Sequence, residues 1–305
     1  MNETEARAPE ITWWSRNQTR VVPWLFLLPA IAMFLSYVIV PIGKSLLLSL
    51  YDWDGLTDAV YIGLDNYREL LEDEDFYIAL KNNVVWLCGY LLAPPAGLAI
   101  ALFLNQKIRG IRLAKSLFFF PFVISNAVIG TIFCWIYEPA NGLLFHILHF
   151  LGVERTIAVL SDENLVTYGV ILAGLYPQTA YCMILFLTGL NNVRADLIEA
   201  ARLEGAKGWT MLWNVVLPQL RPATFMALVV TIIGALRSFD MISVMTGGGH
   251  YGSSRVLAFY MYEKALSEYG NRMGYGTAIA SVLFFIMLVY IAFILRRMYK
   301  QEKGM

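Results

Sequence analysis

The chain has 305 residues, 58% of them hydrophobic and 15% charged, and its 23 basic and 23 acidic side chains cancel. Soluble domains carry roughly a quarter of their residues charged, so this composition excludes an ordinary soluble globule and points to an integral membrane protein. A formal charge of zero offers no electrostatic footprint for nucleic acid, and none is expected as a partner.

Residues 1–21 are polar and of mixed charge, an N-terminal segment outside the membrane. The first apolar run begins near Val21 and is too long for a signal-peptide core, so no cleavable leader is expected. Six apolar runs follow, at about 22–50, 83–104, 116–137, 165–189, 223–246 and 275–295. Each approaches the ~20 residues that a helix needs to cross the hydrocarbon core. The expected fold is therefore all-α and integral to the membrane, with one six-helix domain over 22–295 and a short tail over 296–305. Pro29, Pro41, Pro94, Pro95 and Pro177 fall inside these runs and predict kinks, which membrane helices tolerate where neighbours or a cavity satisfy the freed carbonyls.

Orientation follows from the basic residues. The segments 1–21, 105–115, 190–222 and 296–305 hold fifteen Lys and Arg, whereas 51–82, 138–164 and 247–274 hold six. The positive-inside rule then puts both termini and the 190–222 loop in the cytoplasm. The first outer loop carries nine acidic against two basic residues, read as a solvated face.

Polar side chains inside spans face a cavity or another helix. In the fourth run Gly174, Gln178 and Tyr181 share one helical face, and Thr231, Ala235 and Ser238 repeat that spacing in the fifth. Amide, hydroxyl and aromatic groups suit a sugar, whose hydroxyls need donors and acceptors and whose rings stack on aromatic faces. The same small and hydroxyl residues also make tight helix seams, and both readings stay open. Ser125 and Asn126 in the third run are further candidates for the cavity. Arg237 and Asp240 are expected to pair with each other at i, i+3, with a direct role in binding or gating as the alternative. Lys44, near the end of its run, is expected to snorkel outward.

Other signals carry less. Cys88, Cys134 and Cys182 sit singly in apolar runs and read as small buried hydrophobes. Gly43-Lys44-Ser45 has the tail of a phosphate-binding loop, but Val38 stands where that motif requires glycine. His146 and His149 lack further ligands at metal spacing, and no catalytic signature is present.

The 190–222 loop is polar between apolar neighbours. Ala195 to Ala206 reads as a short helix stopped at Gly205, and Trp209 to Val216 as a second one closed by Leu217-Pro218. Two helices and a fixed turn suit a segment that fits a groove on another protein. Glu199-Ala200-Ala201, Gly205, Val215 and Leu217-Pro218 follow the spacing of the EAA loop of ABC importer permeases, with Val215 where that family usually has Ile. Gly63-Leu-Asp-Asn-Tyr67, Ser116-Leu-Phe-Phe-Phe-Pro121, Thr246-Gly-Gly-Gly249, Ala258-Phe-Tyr-Met-Tyr262 and Gly274-Tyr-Gly-Thr-Ala278 are similar to stretches of its carbohydrate-uptake branch, of the maltose and glycerol-3-phosphate first-subunit type. His250 stands where that group usually has proline.

This resemblance covers about 22–295 and implies a type I importer permease fold of six helices. It implies that Glu199, Ala200, Ala201, Gly205, Leu217 and Pro218 belong to a coupling helix that docks on an ATP-hydrolysing subunit. It also carries a substrate-contact role onto Gln178, Tyr181, Thr231 and Ser238, and more loosely onto Gly174 and Ala235. The implied partners are a second permease, two ATP-binding-cassette subunits, an extracytoplasmic solute-binding protein and a carbohydrate-like solute, in the lipid of a prokaryotic inner membrane. The chain itself would be non-catalytic and hold no cofactor, with ATP and Mg on the ATPase subunits. The rival expectation is an ion-coupled secondary transporter; against it, Asp240 is the one carboxylate inside a run and no repeat relates the two halves.

Overall fold

The computed structural model describes residues 13–303 apart from 107, 154–155 and 268–270. Residues 1–12 of the expected N-terminal segment and 304–305 of the expected tail lie outside the described residues. Helix α1 (Trp13–Phe34) runs through a π-turn at Leu35–Ile39 into α2 (Val40–Leu48). The short antiparallel strands β1 (Tyr51–Asp52) and β2 (Val60–Tyr61) and helix α3 (Asp65–Glu72) make an extramembrane connection to α4 (Glu74–Tyr90) and α5 (Ala93–Leu104). Next come α6 (Ile111–Val123), α7 (Asn126–Ile136), the short α8 (Leu143–Phe150) and the long α9 (Val166–Asn191). Helix α10 (Ala195–Leu203) precedes α11 (Gly208–Met211), a π-turn at Leu212–Val216, α12 (Leu217–Gln219) and α13 (Arg221–Leu236). Helices α14 (Asp240–Met245), α15 (Leu257–Tyr262) and α16 (Met273–Lys303) complete the chain.

Among the described residues, four continuous stretches are long and apolar enough to cross a membrane: Gln18–Leu48, Glu74–Leu104, Val166–Asn191 and Met273–Arg297. Two further spans arise only if bent pairs are counted, α6 with α7 across a 100° bend and Gly208–Gln219 with α13 across a 73° bend. The expected third span is thus a broken one. Its break falls where Ile124 and Ser125 adopt extended backbone, and the Ser125 hydroxyl accepts from the Val128 N–H at 3.4 Å to start α7 anew. The fifth expected run, 223–246, is interrupted as well: α13 ends at Leu236, and Phe239 (φ −139°, ψ −56°) is not helical. Pro41 and Pro94 stand at helix starts just after an irregular turn, as expected of proline, whereas α1 passes Pro29 and α9 passes Pro177 without a break. None of the apolar stretch of Gln18–Leu48 is buried, so this helix shows its side chains outward.

The most extensive helix seam joins α5 to α9. Ala93, Gly97 and Ala101 recur every fourth residue and are buried, and a Cβ on Gly97 would lie 2.7 Å from both the Cys182 Cβ and the Met183 nitrogen. Close backbone approach through small residues is how helices associate where lipid removes the hydrophobic driving force. Gly189 does the same for α9 against α13, where its missing Cβ leaves room for Leu220 and Ala223.

Two of the motif stretches are structural latches at the end where α4 and α16 begin. Asn66, nearly fully buried, donates from Nδ2 to the carbonyls of Ser49 (2.9 Å) and Tyr51 (3.0 Å), and the Tyr67 hydroxyl shares a 2.7 Å hydrogen bond with the Ser49 hydroxyl. The Thr246-to-Gly249 turn needs glycine at three successive positions with φ of 55°, 92° and 75°. Its far side is held by Asn82 Nδ2, which reaches the carbonyls of Gly252, Ser253 and Arg255. His250, in place of proline, opens a single 3₁₀ turn, His250–Gly252, with Tyr251 at φ 49°.

Ion pairs tie the same end together. Arg272 meets Glu69 through two short contacts, and Arg255 bridges Asp75 and Glu263 at 2.8 Å each. Asp73 accepts from the hydroxyls of Tyr260 and Tyr275 and from the Asp75 N–H. Burial pushes the Asp73 carboxyl up, but the two tyrosine hydroxyls and the backbone donor outweigh it and hold it below the usual carboxylate range. A depressed folded pKa adds stability that is present above the unfolded value and lost as pH falls through the folded one. Thermal stability of the purified protein is therefore expected to drop on acidification below about pH 4. Asp73→Asn should flatten that slope between the two pKa values; a slope equal to wild type would show that these hydrogen bonds carry no pH dependence.

Candidate functional site

Two regions bring the candidate residues together. The first is a 660 Å³ cavity walled by α4, α6, α9 and α13 and closed by the two breaks in the expected spans. Irregular backbone at membrane depth is tolerated where it lines a cavity, and the 124–125 and 237–239 breaks both do so. Four of the six expected contact residues line it: Gly174, Gln178, Tyr181 and Ser238. Ser125 and Asn126 line it too, delivered by the N-terminus of α7.

Thr231 and Ala235 are fully buried and stand behind the wall. Helix α13 turns Val230, Ile233, Gly234 and Arg237 to the cavity, a face one residue away from the expected stripe. Thr231 acts on the lining indirectly. Gln178 donates from Nε2 to its hydroxyl oxygen at 3.0 Å, and that hydroxyl lies 3.4 Å from the Cys182 Sγ. The amide of Gln178 is thereby fixed, with its Oε1 over Gly234, where an added Cβ would come within 3.2 Å. Gly174 makes room for Tyr90: a Cβ there would fall 2.3 Å from the phenol oxygen. Tyr181 and Phe122 present paired rings to the cavity, centroids 5.0 Å apart and planes at 31°.

Arg237 and Asp240 both line the cavity and are exposed, and they form no ion pair with each other. The expected i, i+3 pairing requires a continuous helix. Here Arg237 caps α13 while Asp240 opens α14, so the intervening turn separates their directions. The sequence reading also missed Trp86 and Tyr90, apolar in context, which the fold places on the same wall. The indole N–H of Trp86 is buried and has no hydrogen-bond partner among the described residues.

The second region is the 190–222 loop. Glu199, Ala200 and Ala201 lie on α10, which ends at Leu203, and the turn that follows passes through Gly205 at φ 87°. The second helical piece begins at Gly208 and runs on through Leu217 and Pro218 to Gln219, so proline does not close it as expected. The π-turn ahead of Pro218 shifts the register: the Leu217 N–H bonds to the Leu212 carbonyl, and the bend comes after Leu220. Gln219, unremarked in the sequence, closes the loop by accepting from the Arg194 N–H at 2.9 Å and donating to the Val215 carbonyl at 3.0 Å. Arg194 also pairs with Asp196 at 2.5 Å across exposed surface. The loop shows apolar side chains to the outside, Leu203 91% exposed, Trp209 73% and Trp213 62%. The pinned double helix thus leaves a leucine and two tryptophans uncovered by the rest of the described chain.

Cys88, Cys134 and Cys182 are free thiols, and no group of metal-ligating side chains occurs among the described residues.

Residues 93–303 match the sequence model of a family described as binding-protein-dependent transport system inner membrane component. The chain is 35% identical over 277 residues to a probable ABC transporter permease protein, YurN, of Bacillus subtilis (89% of this chain, 94% of that one). It is 31% identical to the multiple sugar-binding transport system permease protein MsmF of Streptococcus mutans (87% of this chain, 90% of that one). In fold it superimposes on a chain from the crystal structure of a bacterial ABC transporter involved in the import of the acidic polysaccharide alginate, with a TM-score of 0.80 and 21% identity over 94% of this chain and 98% of that one.

Proposed function

Since the chain belongs to the family of binding-protein-dependent transport system inner membrane components, we propose that its cavity passes a carbohydrate-like solute and that its 190–222 loop receives the thrust of an ATP-hydrolysing partner. The chain is a multi-pass permease subunit of an ATP-binding-cassette importer. This membership sets aside the ion-coupled secondary transporter.

The observation that carries the solute class is the cavity lining. At 660 Å³ it lies within the ~300–1,000 Å³ range of small-molecule sites. It offers acceptors at Asp240 and Gln178, donors at Arg237 and Asn126, hydroxyls at Ser125 and Ser238, and a stacking face at Tyr181 and Phe122. Charges of both signs, each without an ion-pair partner among the described residues, suit a polyhydroxylated solute that donates to one and accepts from the other. Relatives named for sugar transport support the same class, a sugar, an oligosaccharide or a sugar-like glycerol compound.

Both termini and the 190–222 loop face the cytoplasm of a prokaryotic cell in this reading, with the Asn66 and Asn82 latches on the outer side. A solute-binding protein delivers the solute there, and a second permease completes the passage. Two ATPase subunits hold ATP and Mg and carry the hydrolysis; this chain is non-catalytic. Each ATPase state must favour one arrangement of the helices, which is how the loop converts nucleotide binding into alternating access. The purified assembly, with its binding protein and ATPase, should hydrolyse ATP faster with a sugar or polyol than with amino acids or metal ions. Stimulation by a non-carbohydrate alone would overturn the solute class.

A further inference from the structure

Tyr90 is the last residue of α4 and stands outside both helices whose stripes were expected to meet the solute. Its ring nevertheless reaches each of them. A Cβ added at Gly174 of α9 would lie 3.1 Å from the Tyr90 Cε1 and Cζ, and closer still to the hydroxyl oxygen. A Cβ added at Gly234 of α13 would lie 3.8 Å from the Tyr90 Cε2, the opposite edge of the ring. Tyr90, Gly174 and Gly234 all line the central cavity.

Helices that show each other small residues close to backbone contact, as α5 and α9 do at Gly97. Gly174 and Gly234 face one ring instead, and that ring takes the room their missing side chains leave. It has nowhere to withdraw. Trp86, one turn earlier on α4 and fully buried, packs behind it with centroids 5.1 Å apart and planes at 54°. The polar neighbour of the Tyr90 hydroxyl is the Ser238 side chain, and the Ser238 hydroxyl donates to the Gly234 carbonyl at 3.0 Å. The ring therefore also abuts the place where α13 ends and the chain turns Arg237 and Asp240 to the cavity.

We propose that Tyr90 determines how large a solute the cavity admits. It is a wedge that fixes the separation of α9 and α13 at Gly174 and Gly234, and with it the position of the 237–239 break. It acts through the lining residues it holds apart and is in that sense a positioning residue. The inference rests on the reading of the cavity as a passage for a carbohydrate-like solute.

Equilibrium dialysis of the complete importer with labelled glucose, maltose and maltotriose tests it. The solute-binding protein is left out, so that delivery imposes no selection, and ATP is supplied with EDTA, so that nothing is hydrolysed. Tyr90→Ala is expected to raise the affinity for maltotriose relative to glucose about tenfold, and Tyr90→Phe, which keeps the wedge, to stay within about twofold of wild type. Tyr90→Leu fills the core without spanning both glycines and should follow the alanine variant, which keeps the test open if Tyr90→Ala fails to assemble. Gly174→Ala should lower the same ratio about tenfold with Tyr90 present and leave it unchanged in the Tyr90→Ala background, where the added methyl has no ring to displace. An unaltered ratio in Tyr90→Ala and Tyr90→Leu, or an equal effect of Gly174→Ala in both backgrounds, would overturn the wedge while leaving the solute class standing. A wild type that binds none of the three sugars would overturn the solute class and the wedge with it.

Discussion

Replacing Gly205 by proline is expected to abolish solute uptake while leaving the protein inserted and assembled with its spans intact. Gly205 sits at φ 87°, and its N–H donates to the Arg202 carbonyl at 3.0 Å. Proline fixes φ near about −65° and has no N–H, so both features are lost together. An added Cβ meets nothing within 4 Å, which confines the damage to the course of the chain between α10 and α11. Gly205→Ala removes only the ease of a left-handed backbone, at about 1 kcal/mol, and should leave substantial uptake. Glu199→Lys should abolish uptake by a different route, because Glu199 is exposed on α10 and its replacement reverses the charge of the face proposed to dock, with no side-chain partner among the described residues to lose. Uptake assays in vesicles, with membrane insertion followed by immunoblot and the ATPase by co-purification, separate these cases. Full transport by Gly205→Pro would mean that the loop's shape is irrelevant to coupling.

The second large effect is expected in the cavity. Tyr181→Ala removes one of the two paired rings and should lower solute-dependent transport about tenfold, roughly 1.4 kcal/mol of contact, within what an aromatic face contributes. The ATPase should still co-purify, because Tyr181 lies far along α9 from the loop that follows Asn191. Asp240→Ala should weaken transport comparably, since its removal leaves no partner unpaired among the described residues. Thr231→Val gives the contrast. It loses the 3.0 Å bond that aims the Gln178 amide, so it should raise the solute concentration needed for half-maximal uptake although Thr231 itself is buried behind the lining. Wild-type uptake by Tyr181→Ala would mean that the rings only pack against one another.

The six-run pattern was legible because length and apolarity alone specify a membrane helix. Where the runs break was not, although the signs were present. Ser125-Asn126 is an N-cap pair inside an apolar run, and Arg237, Ser238 and Asp240 are three polar residues in four. Hydropathy averages over such short interruptions, and it is at these interruptions that the cavity forms. The face of α13 was displaced by one residue for a related reason. The rule that polar residues point inward fails here: Gly234 and Val230 face the cavity while Thr231 points back to serve Gln178. Spacing along one helix cannot show which neighbour satisfies a hydroxyl. The loop motif was legible in position, but the closure of its two ends through Gln219 depends on a contact across 25 residues.

A photo-crosslinker in place of Leu203, the most exposed large side chain of the loop, gives the most direct measurement of whether that loop meets the nucleotide motor. In the complete importer it should attach to the ATP-hydrolysing subunit, with a yield that changes between nucleotide-free and ATP-bound preparations. Attachment to the solute-binding protein, or labelling of position 203 by a membrane-impermeant reagent applied from outside the cell, would contradict the account.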